Sequence, residues 1–156
     1  MRKLIGKYVG KHIFVSVLVV LFSLSSLQIQ PIRAQGNTIY YAAPSPMGVG
    51  DCSAWENACD LQTALTTAVA PAEIWVKAGV HKPTIVPDSR DAAFTLRSGV
   101  EVYGGFAGTE TAREQRDWRL NLTILSGDID NNDINEDGNF IIEDVVEIVG
   151  ANSRHV

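Results

Sequence analysis

The chain has 156 residues, of which 46% are hydrophobic and 20% charged, and its formal net charge is −5. That length allows one domain of modest core once any leader is set aside. An acidic balance excludes nucleic acid and anionic membrane surfaces as partners, because both are repelled, and it favours cations.

Residues 1–34 have the order of a secretory leader. Arg2, Lys3, Lys7 and Lys11 precede the uncharged apolar run Ile13–Leu24, and a polar stretch leads to Arg33-Ala34-Gln35. Cleavage after Ala34 follows from that order, and it places the mature chain in a secreted or cell-surface location. A single-pass N-terminal anchor is the alternative, and the only route to a membrane. A span needs about 20 mostly apolar residues, which Ser23, Ser25, Ser26, Gln28, Gln30 and Pro31 interrupt. The leader carries five basic side chains and no acid, so removing those five positive charges from −5 leaves −10 on residues 35–156.

Thr38–Ala42 reads as a first strand, ended by Pro44 and Pro46. Cys52 and Cys59 are the only cysteines, and export makes a disulfide the expected state. A zinc site is the rival, but two thiols lack the usual second pair of ligands. Asp60 stands as an N-cap before Leu61–Val69, where Leu61, Ala64, Leu65 and Ala68 share one helical face, and Pro71 follows as a stop. So short a helix is unstable alone and must cover something; the open end of a stack of strands is the expected place.

Strands are then expected at Ile74–Val76, after Gly79 at Val80, at Phe94–Leu96, at Val100–Tyr103 and at Leu122–Leu125, with corners at Gly99, Gly104-Gly105 and Gly108. Residues 109–117 are polar and suit a helical turn. Strand-forming runs at intervals of roughly 20–25 residues are what a coiled parallel sheet leaves in a sequence. From Asp128 to Glu147 the chain carries eight acids and no base, an acidic insertion, and Ile148-Val149-Gly150 suits the start of another strand.

A set of motifs resembles a known family. Cys52-x-x-Trp55…Cys59-x-Leu61-Gln62-x-Ala64-Leu65, Ile74-Trp75-Val76-x-Ala78-Gly79-Val80-x-Lys82-Pro83-Thr84, Gly99-Val100-x-Val102-Tyr103-Gly104-Gly105-Phe106-Ala107-Gly108-Thr109-Glu110, Gln115-Arg116-Asp117 and Leu125-Ser126-Gly127-Asp128 look like the N-terminal region of certain bacterial surface proteins. These are similar to polymorphic outer-membrane proteins and carry a pectin-lyase-like fold. The resemblance covers most of residues 38–156. It implies an all-β domain, a right-handed single-stranded parallel β-helix with a short N-terminal capping helix, spanning residues 35–156. It implies an adhesin-like structural or binding role without catalysis, with host or cell-surface glycans or proteins as partners. In that family the segment resembling Ile148–Val156 leads into further coils, so the resemblance also implies a fragment of a longer protein.

Three constellations bear on chemistry. The loop from Asp133 fits a 12-residue calcium site, with oxygen donors at Asp133, Asn135 and Asp137, a sharp turn at Gly138, the Asn139 carbonyl next and Asp144 at the twelfth position. The last arm is shorter than the usual Glu and no helix precedes the loop, so a solvated acidic insertion stands beside calcium as the other reading. A polysaccharide lyase or hydrolase is the enzymatic alternative, with Asp128, Asp130 and Arg154 as its carboxylates and base, though no spacing singles them out. His81 reads as a surface residue beside Lys82-Pro83. Trp55, Trp75 and Trp118 read as core or cap filling ahead of a sugar-stacking platform. Asn121-Leu122-Thr123 matches a glycosylation acceptor and is incidental in a bacterial-looking chain.

Overall fold

The computed structural model describes residues 36–86, 89–138 and 144–156. The leader expected at residues 1–34 lies outside them. Among the described residues no helix is long and apolar enough to cross a membrane.

Among the described residues, five strands and one α-helix make up the regular structure, with short 3₁₀ turns between them. Strands β1 (Thr38–Ala42), β2 (Ala72–Lys77) and β4 (Val100–Phe106) form a three-stranded parallel sheet in the order β1-β2-β4. Strands β3 (Gly79–His81) and β5 (Thr123–Leu125) form a separate parallel pair. Helix α1 runs from Leu61 to Thr67. The parallel register sets Tyr40 beside Ile74 and Ile74 beside Val102, and sets Tyr41 beside Trp75 and Trp75 beside Tyr103.

Strand alternation gives the larger sheet two unlike faces. On one face Ala42, Ala72, Ile74 and Val76 are buried against Leu61, Ala64, Leu65 and Ala68, with Tyr40, Phe94 and Val100 at its margin. The stripe expected on α1 is therefore the stripe that is buried. Asp60 caps the helix as its sequence position implies: its carboxylate accepts from Thr63 N at 2.8 Å and from Thr63 Oγ1 at 2.7 Å. The opposite face is aromatic. Trp75 and Phe106 stack with ring centroids 4.8 Å apart, and Tyr41 and Trp55 pack edge-on beside them.

The expected right-handed parallel β-helix is not formed. The described residues build a small mixed fold, with two separate parallel sheets of three and two strands and a helix, and no closed or solenoid sheet. The spacing argument was right about parallel pairing and wrong about what lies between the strands. Phe94–Leu96, expected as a strand, is irregular and leaves Leu96 71% exposed. Residues 107–122 form a loop with a single 3₁₀ turn at Arg113–Gln115. Past Leu125 the described chain makes only an isolated antiparallel bridge between Asp128 and Asn152 and a 3₁₀ turn at Val145–Glu147. The strand expected to start at Ile148-Val149-Gly150 is not formed, and Val145, Val146 and Ile148 stay exposed, with no neighbouring strand to pair with among the described residues.

The helix does not close the end of the sheet either. It lies on the sheet face, and the free edge of β1 is closed instead by the Cys52–Cys59 loop. Tyr41 N donates to Cys52 O, Cys59 N to Tyr41 O, and Ala43 N to Cys59 O, at 2.8–3.1 Å. The disulfide expected between Cys52 and Cys59 is present and both residues are buried.

Candidate functional site

A groove lies where three turns meet. Its cavity of about 600 Å³ is walled by Pro44, Pro46, Pro83, Val80 and Ile85, with Ser45, Thr84, Asp60, Gln62, Lys82 and Asn131 around it. The turn after β1 supplies one wall and the segment after β3 supplies the other. Prolines gather there because each of these turns ends a strand, where a missing N–H costs no ladder bond. Cavities of this size with mostly apolar walls and a few polar groups are the usual form of a small-ligand seat.

The charged groups around this groove are already paired. Lys82 Nζ donates to Asn131 Oδ1 at 2.6 Å and sits 4.0 Å from Asp128 Oδ2. Asp60 is taken by its helix cap. Thr84 Oγ1 accepts from Val86 N. Gln62 Nε2 donates to Ala93 O at 3.4 Å, while its Oε1 is sealed from solvent with no partner among the described residues.

Beneath this region His81 is buried, not at the surface as its polar neighbours suggest. Val80 faces the groove, so strand alternation turns His81 inward. Its Nε2 lies 2.9 Å from Lys77 O, and a carbonyl only accepts, so Nε2 carries the proton. Nδ1 then remains a buried acceptor without a partner among the described residues. Burial pushes the His81 pKa down, against the Lys77 carbonyl and the charge of Asp60.

A second built feature closes the aromatic face. The Glu110 carboxylate accepts from the backbone N–H groups of Ala107, Gly108 and Thr109 at 2.7–2.9 Å. Burial alone would raise the pKa of Glu110, but the backbone donors together outweigh it and hold it below its ordinary value. Trp55 Nε1 donates to Glu110 O at 2.9 Å, tying the disulfide loop to this turn. Nearby Arg113 reaches Glu73 Oε1 at 3.2 Å and lies 4.8 Å over the Tyr103 ring.

Two of the residues expected to bind calcium, Asp133 and Asp144, accept hydrogen bonds from within the protein. Asp133 Oδ1 accepts from Val149 N at 2.7 Å and from Asn152 Nδ2 at 2.9 Å, anchoring the 149–152 turn. Asp144 caps the 3₁₀ turn by accepting from Val146 N. Gly138 does turn the chain, with φ +71°, and its N–H donates to Asn135 O. Asp137 precedes it, and Asn139 lies outside the described residues. Among the described residues no group of three or more His, Cys, Asp and Glu side chains could hold a metal ion.

The carboxylates considered for polysaccharide chemistry have structural partners. Asp128 Oδ1 accepts from Asn132 N and Asp130 Oδ2 from Ala151 N, while Arg154 pairs with Asp91 at 2.7 Å. Trp75 and Trp55 belong to the aromatic cluster, whereas Trp118 is 60% exposed under Arg119. Asn121 donates through Nδ2 to Gly105 O. The groove residues Pro44, Gln62, Lys82 and Asn131 carried no signal in the sequence, since nothing in it brings positions 44, 62, 82 and 131 together.

Comparison with family models, with curated proteins and with solved structures gives no match. The resemblance to bacterial surface proteins therefore rests on its motifs alone.

Proposed function

We propose that this chain is an exported, non-catalytic binding module, and that the proline-walled groove seats an uncharged ligand, a cell-surface glycan being the class that fits. The groove is the observation that carries the reading. Its walls offer pyrrolidine and aliphatic surface for the C–H face of a sugar ring, and its rim offers hydroxyl and amide groups for sugar hydroxyls. Its charged groups, Lys82 and Asp60, are engaged in hydrogen bonds within the protein, which favours an uncharged ligand over an ionic one. The disulfide supports export, because such bonds persist in oxidising compartments.

The test is a titration of the oxidised protein with neutral and acidic oligosaccharides, followed by amide chemical shifts. Saturable shifts centred on Ser45, Val80 and Thr84, lost in Pro83→Asp, are expected. Absence of saturable binding to every glycan overturns the ligand class. Turnover of polygalacturonate abolished by Asp128→Ala or Asp130→Ala overturns the non-catalytic reading.

A further inference from the structure

We infer that the Cys52–Cys59 loop is a stopper that prevents copies of this chain from joining head to tail, β1 of one copy onto the free edge of β4 of another. The inference is independent of the groove. It starts from the hydrogen bonding at the two outer edges of the three-stranded sheet.

At the β4 edge, no strand among the described residues pairs on the side away from β2. Ala72 N donates to Gly99 O, and parallel ladders alternate, so Val100 and Val102 turn their backbone groups outward; Val100 N is taken by Arg97 O, which leaves the Val102 amide as the outward donor. The far end of this edge is closed by the following loop: Arg116 Nη1 donates to Gly104 O, and Gly105 N donates to Thr123 Oγ1. The open part is thus Glu101–Tyr103, with Val102 presenting both its N–H and its C=O. It carries neither proline nor lysine, the residues that usually blunt an exposed edge.

At the β1 edge, Ile39 and Tyr41 face outward, and the loop covers Tyr41. The Tyr41 N–H is held by Cys52 O, its C=O by Cys59 N, and the next outward N–H, from Ala43, by Cys59 O. The stopper is thus a short parallel stand-in for a neighbouring strand, held in shape by the disulfide.

The two edges match each other. The register already stacks Tyr40 on Ile74 on Val102, Tyr41 on Trp75 on Tyr103, and Ile39 on Glu73 on Glu101. A second copy's β1 placed beyond β4 in the same register sets its Tyr40 beside Val102 and its Tyr41 beside Tyr103, apolar against apolar and aromatic against aromatic. In that register the outward Val102 C=O accepts from the copy's Tyr41 N–H. That is the donor Cys52 O occupies. A head-to-tail contact does not close on itself and adds copies without limit, so blocking one of its two edges is sufficient to stop it. With the stopper in place, this sheet keeps its β4 edge for pairing, and β4 against β4 ends at a pair.

A dithiol reductant opens the stopper. One thiolate attacks a sulfur of the bridge to give a mixed disulfide and one free protein thiol. The second thiolate resolves the mixed species, so the protein gains two thiols and the reagent becomes a cyclic disulfide.

The experiment compares the oxidised chain, the dithiol-reduced chain and Cys52→Ser with Cys59→Ser. Light scattering after size separation and electron microscopy give assembly size, and near-ultraviolet circular dichroism checks the fold. The oxidised protein is expected as one or two copies, and both unstoppered forms as open-ended, concentration-dependent chains. Adding Val102→Pro to the unstoppered protein removes an outward N–H while sparing the β2 ladder, and is expected to suppress growth. Val102→Lys serves the same purpose if proline disturbs β4. Unstoppered protein that keeps the mass of the oxidised form overturns the inference. So do aggregates indifferent to both Val102 substitutions.

Discussion

Glu110 shows how one side chain holds a turn. Three successive backbone N–H groups converge on its carboxylate, and the residue is only 9% exposed. Glu110→Ala leaves those donors without a buried acceptor, and a loss of about 2–3 kcal/mol in urea unfolding is expected. Its pKa is lower folded than unfolded, so its contribution is complete above the ordinary value of 4.5 and disappears as pH falls through the folded value. His81 acts on a higher window. The buried ring resists the proton that an unfolded chain accepts below 6.5, so stability declines as pH falls from there toward the folded pKa. The urea midpoint is expected to drop between about pH 7.5 and about pH 5.5, and His81→Phe is expected to flatten that difference. Asp133 is a third such residue, anchoring Val149 and Asn152. Asp133→Ala should cost about 1–3 kcal/mol, equally with and without millimolar calcium. A loss that grows when calcium is added would favour the calcium reading of the acidic loop.

At the scale of elements, α1 was legible. Its cap and its apolar stripe are local and are found where the sequence places them, while the helix ends at Thr67, two residues short of the expected Val69. Asp60→Ala should cost about 1 kcal/mol, seen as a lower melting temperature, because Thr63 N loses its acceptor. Strands β1, β2, β4 and β5 were legible as apolar runs bounded by turn residues. The run at Phe94–Leu96 was not separable from them by pattern, because short apolar segments carry no mark of whether a neighbouring strand stands ready to pair. The glycine pair was read as a corner, yet Gly104 and Gly105 stay within β4, where the loop after it presses close. A Cβ on Gly104 would come within 2.8 Å of Thr123, and one on Gly105, whose φ is +93°, within 2.9 Å of Trp118 N. Gly105→Ala is expected to loosen that loop.

For the whole molecule, the disulfide does more than shorten a loop. Chain entropy for so small a ring gives about 2.5 kcal/mol, but opening it also releases the bonds to Tyr41 and Ala43 and the Trp55 contact with Glu110. Reduction is therefore expected to lower the melting temperature by more than the ring alone implies, with a change in tryptophan fluorescence as Trp55 leaves the aromatic cluster. The sequence by itself determined the disulfide, the helix with its cap and buried stripe, and most of the strands, because each depends on residues close together in the chain. Only the tertiary structure decided that the strands form two small separate sheets, that His81 is buried, that the sheet edge is closed by the disulfide loop, and that distant turns meet in a groove. Those outcomes depend on which backbone groups find partners across long separations, and hydrophobic spacing does not encode that choice.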